Sequence, residues 1–170
     1  GVVDVKEPAL SMDGNVTWSV SAGATAVHFP DSVAMPVLYL KATDTWKESS
    51  MSGTSGSGGW AETPGGTATK TAAVMKKRYV VDNGYVLRSP LGGNKDYTFG
   101  GNTLTVNSGT VVHALSAIAS TSEFVLTIYD MRVPAGGTCN LQGVTGSKSY
   151  GWDGNYEIGE GAQMTFYGEA

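Results

Sequence analysis

Acidic side chains recur along the last third of the chain, and one arginine lies among them. The acids are Asp130, Asp153, Glu157 and Glu160, and the arginine is Arg132. Two neighbouring carboxylates can act as acid and base in polysaccharide hydrolysis. None of the four lies in a recognised catalytic motif, and acids at strand edges commonly face water. We therefore expect no enzyme, and keep as an alternative a polysaccharide-acting fragment in which Asp130, Asp153 and Arg132 converge in a groove.

The same region contains oxygen ligands that could hold a metal ion. Carboxylate and amide oxygens are the ligands that Ca²⁺ prefers. The candidate ligands are Asp153, Asn155 and Glu157. The segment from Trp152 to Asn155 is equally typical of an ordinary turn. Ca²⁺ is therefore a candidate ion, and the sequence calls for no other cofactor.

Nucleophilic catalysis is not indicated by the histidines or the single cysteine. His28 and His113 lie in alternating apolar runs, and no Gly-x-Ser-x-Gly motif is present. Cys139 has no adjacent basic residue that would activate its thiol, and no second cysteine with which to form a disulfide. We interpret it as a buried, inert thiol.

Aromatic residues are the best candidates for ligand binding. Exposed rings can stack on sugar faces, so they could form a carbohydrate-binding or adhesive surface. The candidates are Tyr150, Trp152 and Tyr156 near the C-terminus, and Trp60 further upstream. The alternative interpretation is that the C-terminal rings fill the last turn of the fold and shield its end.

The composition predicts an all-β fold. Charged residues make up 15% of the 170 residues, well below the usual share, and Gly, Ser and Thr supply roughly a third. Apolar residues alternate with period two in several stretches, as in strands with one buried face. The net charge of −4 and the lack of a basic stripe argue against nucleic acid. No apolar run is long enough for membrane insertion. We expect an extracellular or cell-surface location.

We expect a single domain over residues 1–170 with three parts. Residues 1–47 form an N-terminal β segment, residues 48–59 a Ser/Gly-rich loop, and residues 60–170 a series of solenoid-like repeats.

The repeat has the form Val/Ile-x-x-Gly and occurs four times in the last part. It begins at Val81, Val106, Val133 and Ile158, at spacings of 25, 27 and 25 residues. Such a period predicts a short right-handed parallel β-helix of about four rungs, in which each Gly supplies positive φ at a corner. The alternative is a β-sandwich or jelly roll, whose regular turns can produce a similar pattern.

Stacking of the rungs predicts columns of buried side chains. The first column contains the four branched residues that open the repeats. A less regular second column is predicted from Val86, Val111, Cys139 and Met164.

The segments 79–90 and 97–106 resemble the opening rungs of large secreted β-helix proteins, of the autotransporter-like, repeat-rich kind found on bacterial surfaces. A Trp-containing, Ser/Gly-rich stretch precedes them, so the resemblance covers about residues 44–106. It implies a right-handed parallel β-helix with a surface or matrix role. It implies no catalytic residues.

Both termini read as strands, and unpaired strand edges tend to pair with other chains. The assembly-edge candidates are Val2, Val3 and Val5 at one end and Met164, Phe166 and Tyr167 at the other. Strand complementation between these ends would build a head-to-tail filament of identical chains. We therefore expect an extracellular structural protein that self-assembles. The alternatives are a carbohydrate-binding or adhesive module that binds glycans, an enzyme fragment, or a phage fibre component.

Overall fold

A computed structural model describes residues 2–4, 26–42, 47–51, 59–90, 95–114, 123–143 and 149–167. The described residues are all β, without a helix, which confirms the predicted fold class. Their strands are β1 Val2–Asp4, β2 Ala26–His28, β3 Val37–Lys41, β4 Glu48–Ser50, β5 Gly59–Ala61, β6 Ala68–Thr69, β7 Arg78–Val81, β8 Tyr85–Arg88, β9 Tyr97–Thr98, β10 Thr103–Val106, β11 Ser108–His113, β12 Glu123–Val133, β13 Thr138–Gly143, β14 Ser149–Ile158 and β15 Gln163–Tyr167.

Most of these strands belong to two sheets. The first sheet has the order β14-β12-β10-β7-β3-β5-β6, with β9 paired to β12. The second has the order β15-β13-β11-β8-β4. Pairing is parallel throughout the second sheet, whereas β5 runs antiparallel to both β3 and β6 in the first. The first sheet is therefore mixed. Strands β1 and β2 pair with each other in a separate two-stranded sheet.

The register confirms the predicted first column of side chains. Val106 pairs with Val81, and Ile158 pairs with Val133. Val81, Val106 and Val133 are at most 1% exposed. The branched residues of the first three repeats are therefore buried in the core, and Ile158 continues their column at the exposed end of the sheet.

The predicted second column is wrong except for its last pair, Cys139 and Met164. Val111 pairs with Leu87 on one side and Leu141 on the other, and Leu141 pairs with Phe166. Val86 lies one residue away, and side chains alternate between faces along a strand, so it points away from that column. Leu87, Val111 and Leu141 are completely buried. The buried column of the second sheet therefore runs from Leu87 to Phe166.

Cys139 and Met164 lie in a neighbouring column. They pair with each other, and Cys139 pairs with Gly109 on its other side. A Cβ on Gly109 would come within 2.6 Å of both the Tyr85 carbonyl oxygen and Val81 Cγ1. The thiol is completely buried, and burial raises the pKa of Cys139 to about 12. This fits the predicted inert thiol.

The predicted loop over residues 48–59 is wrong at both of its ends. Glu48–Ser50 form β4, which pairs in parallel with β8, and Gly59 opens β5. Ser49 and Ser50 are 2% and 0% exposed. Strand pairing and burial here override the turn-forming preference of serine. Residues 52–58 lie outside the described residues.

A cluster of three aromatic rings, Trp60, Tyr79 and Phe99, fills the core beside strands β5 and β7. The rings of Trp60 and Tyr79 lie 4.6 Å apart at their centroids, and those of Tyr79 and Phe99 lie 5.5 Å apart. A Cβ on Gly101 would come within 2.4 Å of the Tyr79 ring, so glycine is needed there for this packing.

Candidate functional site

The two last strands, β14 and β15, form an open edge that we call the tail. Among the described strands, β14 pairs only with β12, and β15 pairs only with β13. Ile158 is 51% exposed and Phe166 is 60% exposed, whereas their column neighbours Val133 and Leu141 are 1% and 0% exposed. The tail thus presents core-type side chains with no further strand of the described chain over them.

Three more tail residues occupy core positions and are only partly covered. Trp152 pairs with Leu126 and Tyr156 with Met131, and these two partners are completely buried. Trp152, Tyr156 and Met164 pack against the core cluster. Burial raises the pKa of Tyr156 to about 12, and the nearby Asp153 and Cys139 add to the shift. This packing favours the interpretation that the C-terminal rings fill the last turn of the fold.

The opposite end of the sheets, which we call the head, comprises residues 37–42, 47–51 and 59–70. Its large apolar side chains are mostly covered: Leu40 is 4% exposed, Met51 1% and Trp60 1%, whereas Val37 is 38% exposed. Trp60 was predicted as a sugar-stacking ring, and its burial among Tyr79 and Phe99 shows that this role is wrong. A ring packed on both sides by other aromatics cannot offer a face to a sugar.

The remaining predicted residues lie as follows. Tyr150 belongs to β14 opposite Phe124, and Tyr167 belongs to β15 opposite Gln142. Val2 and Val3 belong to β1, and so lie in the separate two-stranded sheet rather than at an edge of the two large ones. Val5 lies outside the described residues.

The acidic residues do not come together as an acid and base pair. Arg132 Nη2 lies 2.7 Å from Asp130 Oδ2, and its Nη1 lies 2.8 Å from Asp31 Oδ2. His28 Nε2 also lies 3.3 Å from Asp130. Asp153 instead lies opposite Thr127 in the sheet. The predicted convergence of Asp130, Asp153 and Arg132 is therefore replaced by an ion-pair cluster.

This ion-pair cluster fixes the ionisation of Asp130. Burial alone would raise the pKa of this carboxyl, but hydrogen bonds and charge from His28 and Arg132 lower it overall. Hydrogen bonds from Arg132 to Asp130 and Asp31 raise the pKa of the guanidinium further. The bidentate arginine thus stabilises the ionised form of the Asp130 carboxyl.

The candidate Ca²⁺ ligands are likewise not assembled. Asp153 Oδ1 accepts a hydrogen bond from the Gly154 N–H at 2.8 Å. The turn that the sequence offered as an alternative is wrong, because residues 152–155 lie within strand β14 and pair with β12. Glu157 Oε2 faces Arg132 Nε at 3.9 Å. No group of three acidic, histidine or cysteine residues among the described residues is placed to hold a metal.

Sequence reasoning missed Asn102, which holds a second layer onto the first sheet. We call residues 26–33 the strap. Asn102 is completely buried, and its side chain bonds both backbone groups of Phe29: Oδ1 accepts from the N–H at 2.7 Å, and Nδ2 donates to the carbonyl at 3.0 Å. Arg78 donates to the Pro30 carbonyl at 3.0 Å. The one local signal in the sequence is the pair Gly101-Asn102, which also occurs as Gly14-Asn15 and Gly154-Asn155.

Comparison with protein-family models, with curated proteins and with solved structures found no match. Resemblance to secreted bacterial β-helix proteins therefore stays a prediction. No helix among the described residues is long and apolar enough to cross a membrane.

Proposed function

We propose that this chain is an extracellular structural module, built as a short right-handed parallel β-solenoid, which associates with a second copy through its tail. The observation that carries the proposal is the exposure of Ile158 and Phe166, the last members of two otherwise buried columns. A flat strand edge with exposed apolar side chains favours pairing with another chain.

The solenoid is supported by how the strands alternate between the sheets. Strands β7, β10, β12 and β14 pair in parallel in the first sheet. The next strand along the chain after each of them belongs to the second sheet. These strands are β8, β11, β13 and β15, in the same order. Successive corners are also bonded to each other, as where the Gly136 N–H donates to the Glu160 carbonyl at 3.0 Å. One such pair of strands with its corner is one rung.

The extracellular location is supported by composition alone. Low charge and a high content of Gly, Ser and Thr are common in surface proteins, and the long β-helix proteins that the sequence resembles are secreted.

We infer that the second copy binds tail to tail, because the two most exposed large apolar side chains of the described residues, Ile158 and Phe166, both lie at the tail. Leu40, Met51 and Trp60 at the head are already buried. A different observation, the opposite charges of the two ends, favours the head-to-tail filament expected from the sequence. Exposed Lys47 and Lys70 lie at the head, and exposed Asp153, Glu157 and Glu160 lie at the tail.

The test is the mass of the purified chain in solution as a function of concentration, by sedimentation velocity and light scattering, with negative-stain microscopy. We expect a monomer–dimer equilibrium. The double substitution Ile158→Lys with Phe166→Lys should leave a monomer. Val74→Lys is the matched control, because Val74 is an exposed apolar residue, 45% exposed, outside the tail.

The salt dependence separates the two arrangements. A tail-to-tail dimer brings acidic groups together, so added salt should strengthen it by screening the repulsion. A head-to-tail filament brings acids towards lysines, so salt should weaken it. Filaments that shorten with salt would establish the filament instead of the dimer, and a monomer at every concentration and salt level contradicts both.

A further inference from the structure

The head carries a cleft that the structural role does not use. Its volume is about 400 Å³, within the range of small-molecule sites. Leu38 and Trp60 contribute apolar surface, and Thr67, Thr69 and Thr71 contribute hydroxyl groups. We call it the threonine cleft.

The three threonines share a face by virtue of their spacing. In extended chain, side chains at every second position point the same way. Thr69 pairs with Trp60 across β5 and β6, and residues directly opposite in an antiparallel pair have their side chains on the same face. The hydroxyls of Thr69 and Thr71 lie 3.4 Å apart. The edge strand therefore places hydroxyls on the face where Trp60 and Leu38 enter the core.

Threonine differs from the residues that occupy core-facing positions elsewhere in the first sheet. The strands further along the sheet carry buried apolar residues at core-facing positions, such as Leu104 and Leu126, each 0% exposed. Thr67, Thr69 and Thr71 are exposed instead. A face lined by hydroxyls beside apolar side chains suits a ligand that has both polar and apolar surfaces.

Trp60 contributes its apolar ring to the cleft wall and not its donor. The residue is 1% exposed, and the indole Nε1 is itself buried. The polar groups that a ligand in the cleft can reach are therefore those of the threonines, Glu62 and Lys77.

The charges in the cleft restrict the class of ligand. Glu62 and Lys77 both line it, one acidic and one basic. Their charges cancel, so the cleft has no net attraction for an anion or a cation. Together with the hydroxyls they offer donors and acceptors for a ligand that is rich in hydroxyl groups and uncharged.

We propose that the threonine cleft binds one or two residues of a neutral carbohydrate. The sugar hydroxyls bond Thr67, Thr69, Thr71 and Glu62, and its C–H surface packs on Leu38. This site differs from the predicted aromatic platform, because it binds the sugar through threonine hydroxyls and not by stacking on an exposed ring. It is independent of the tail, so the failure of one proposal leaves the other standing.

The test uses saturation-transfer NMR on the full chain with a panel of neutral sugars: glucose, galactose, mannose, N-acetylglucosamine and their β-linked disaccharides. We expect at least one to bind with a millimolar dissociation constant. The double substitution Thr69→Val with Thr71→Val keeps shape and strand preference but removes two hydroxyls. It should weaken binding at least about tenfold.

Thr138→Val is the matched control, since Thr138 is an exposed threonine in β13, outside the cleft. It should bind as the unsubstituted chain does. Thermal melting of each variant checks that the fold is intact. The proposal is overturned if no neutral sugar in the panel binds, or if binding survives the double substitution unchanged while the variant remains folded.

Discussion

Replacement of Asn102 by alanine should release the strap from the first sheet. The Asn102 side chain bonds both the N–H and the carbonyl of Phe29, at 2.7 and 3.0 Å. Both residues are buried, at 0% and 2% exposure, so water cannot easily replace the lost bonds. Asn102→Ala therefore removes two hydrogen bonds from the buried backbone of Phe29.

The size of the effect follows from those two bonds. Each contributes about 1 kcal/mol net, and a buried group left unpaired costs about 1–3 kcal/mol. If the strap separates locally and its backbone becomes hydrated, the loss is about 2 kcal/mol. If the strap stays in place, the loss approaches about 4 kcal/mol. We expect a value between these limits.

Urea unfolding followed by tryptophan fluorescence measures this loss. The matched control is Asn107→Ala, because the Asn107 side chain makes one exposed bond, at 3.3 Å to Asp82. That change should cost less than about 0.5 kcal/mol. If Asn102→Ala proves as mild as Asn107→Ala, the strap does not depend on the asparagine and the reasoning is refuted.

Two further predictions concern pH and the corners. Burial lowers the pKa of His113, against a smaller opposing effect of Asp96, so the unfolded chain binds the proton more tightly. Stability should therefore fall as the pH is lowered below about 6.5 towards the folded-state pKa, and His113→Gln should flatten this part of a plot of melting temperature against pH. At the corners, Gly136→Ala should cost about 1 kcal/mol, because φ is +72° but the Cβ would meet nothing within 4 Å. Gly109→Ala should cost more, about 1–3 kcal/mol, because its Cβ would clash with Tyr85 and Val81; equal losses in urea unfolding would contradict this.

The corner glycines show how much of the fold the sequence predicts. Gly84, Gly136 and Gly161 have φ of 68°, 72° and 69°, as the repeat requires. Gly109 is the exception, since it is needed for close approach and not for positive φ. The Val/Ile-x-x-Gly spacing could thus place the corners and the first column. It could not set the register after each corner, because a shift of one residue moves every side chain to the other face.

The candidate site was harder to predict, since it depends on contacts between distant segments. Asn102 and Phe29 are 73 residues apart, and Arg132 and Asp31 are 101 apart. No local pattern joins such pairs. Trp60 illustrates the same limit: its aromatic ring made it a candidate for sugar binding, but the antiparallel pairing of β5 with β3 places it in the core.

Two contributions to association can be compared: burial of the exposed apolar side chains at the tail, and ion pairs between the head of one copy and the tail of another. Full burial of an exposed Ile or Phe side chain contributes about 1.5–3 kcal/mol. Ile158 and Phe166 are 51% and 60% exposed, so covering the rest contributes roughly half of that for each, and a tail-to-tail dimer covers both from each copy. Exposed ion pairs between head and tail contribute only about 0–1 kcal/mol each and weaken with salt. A filament would need the covered head to receive the apolar tail, whereas a dimer matches two apolar surfaces to each other. Because such an isologous contact uses the same surface on both copies, it closes at two, and association stops there.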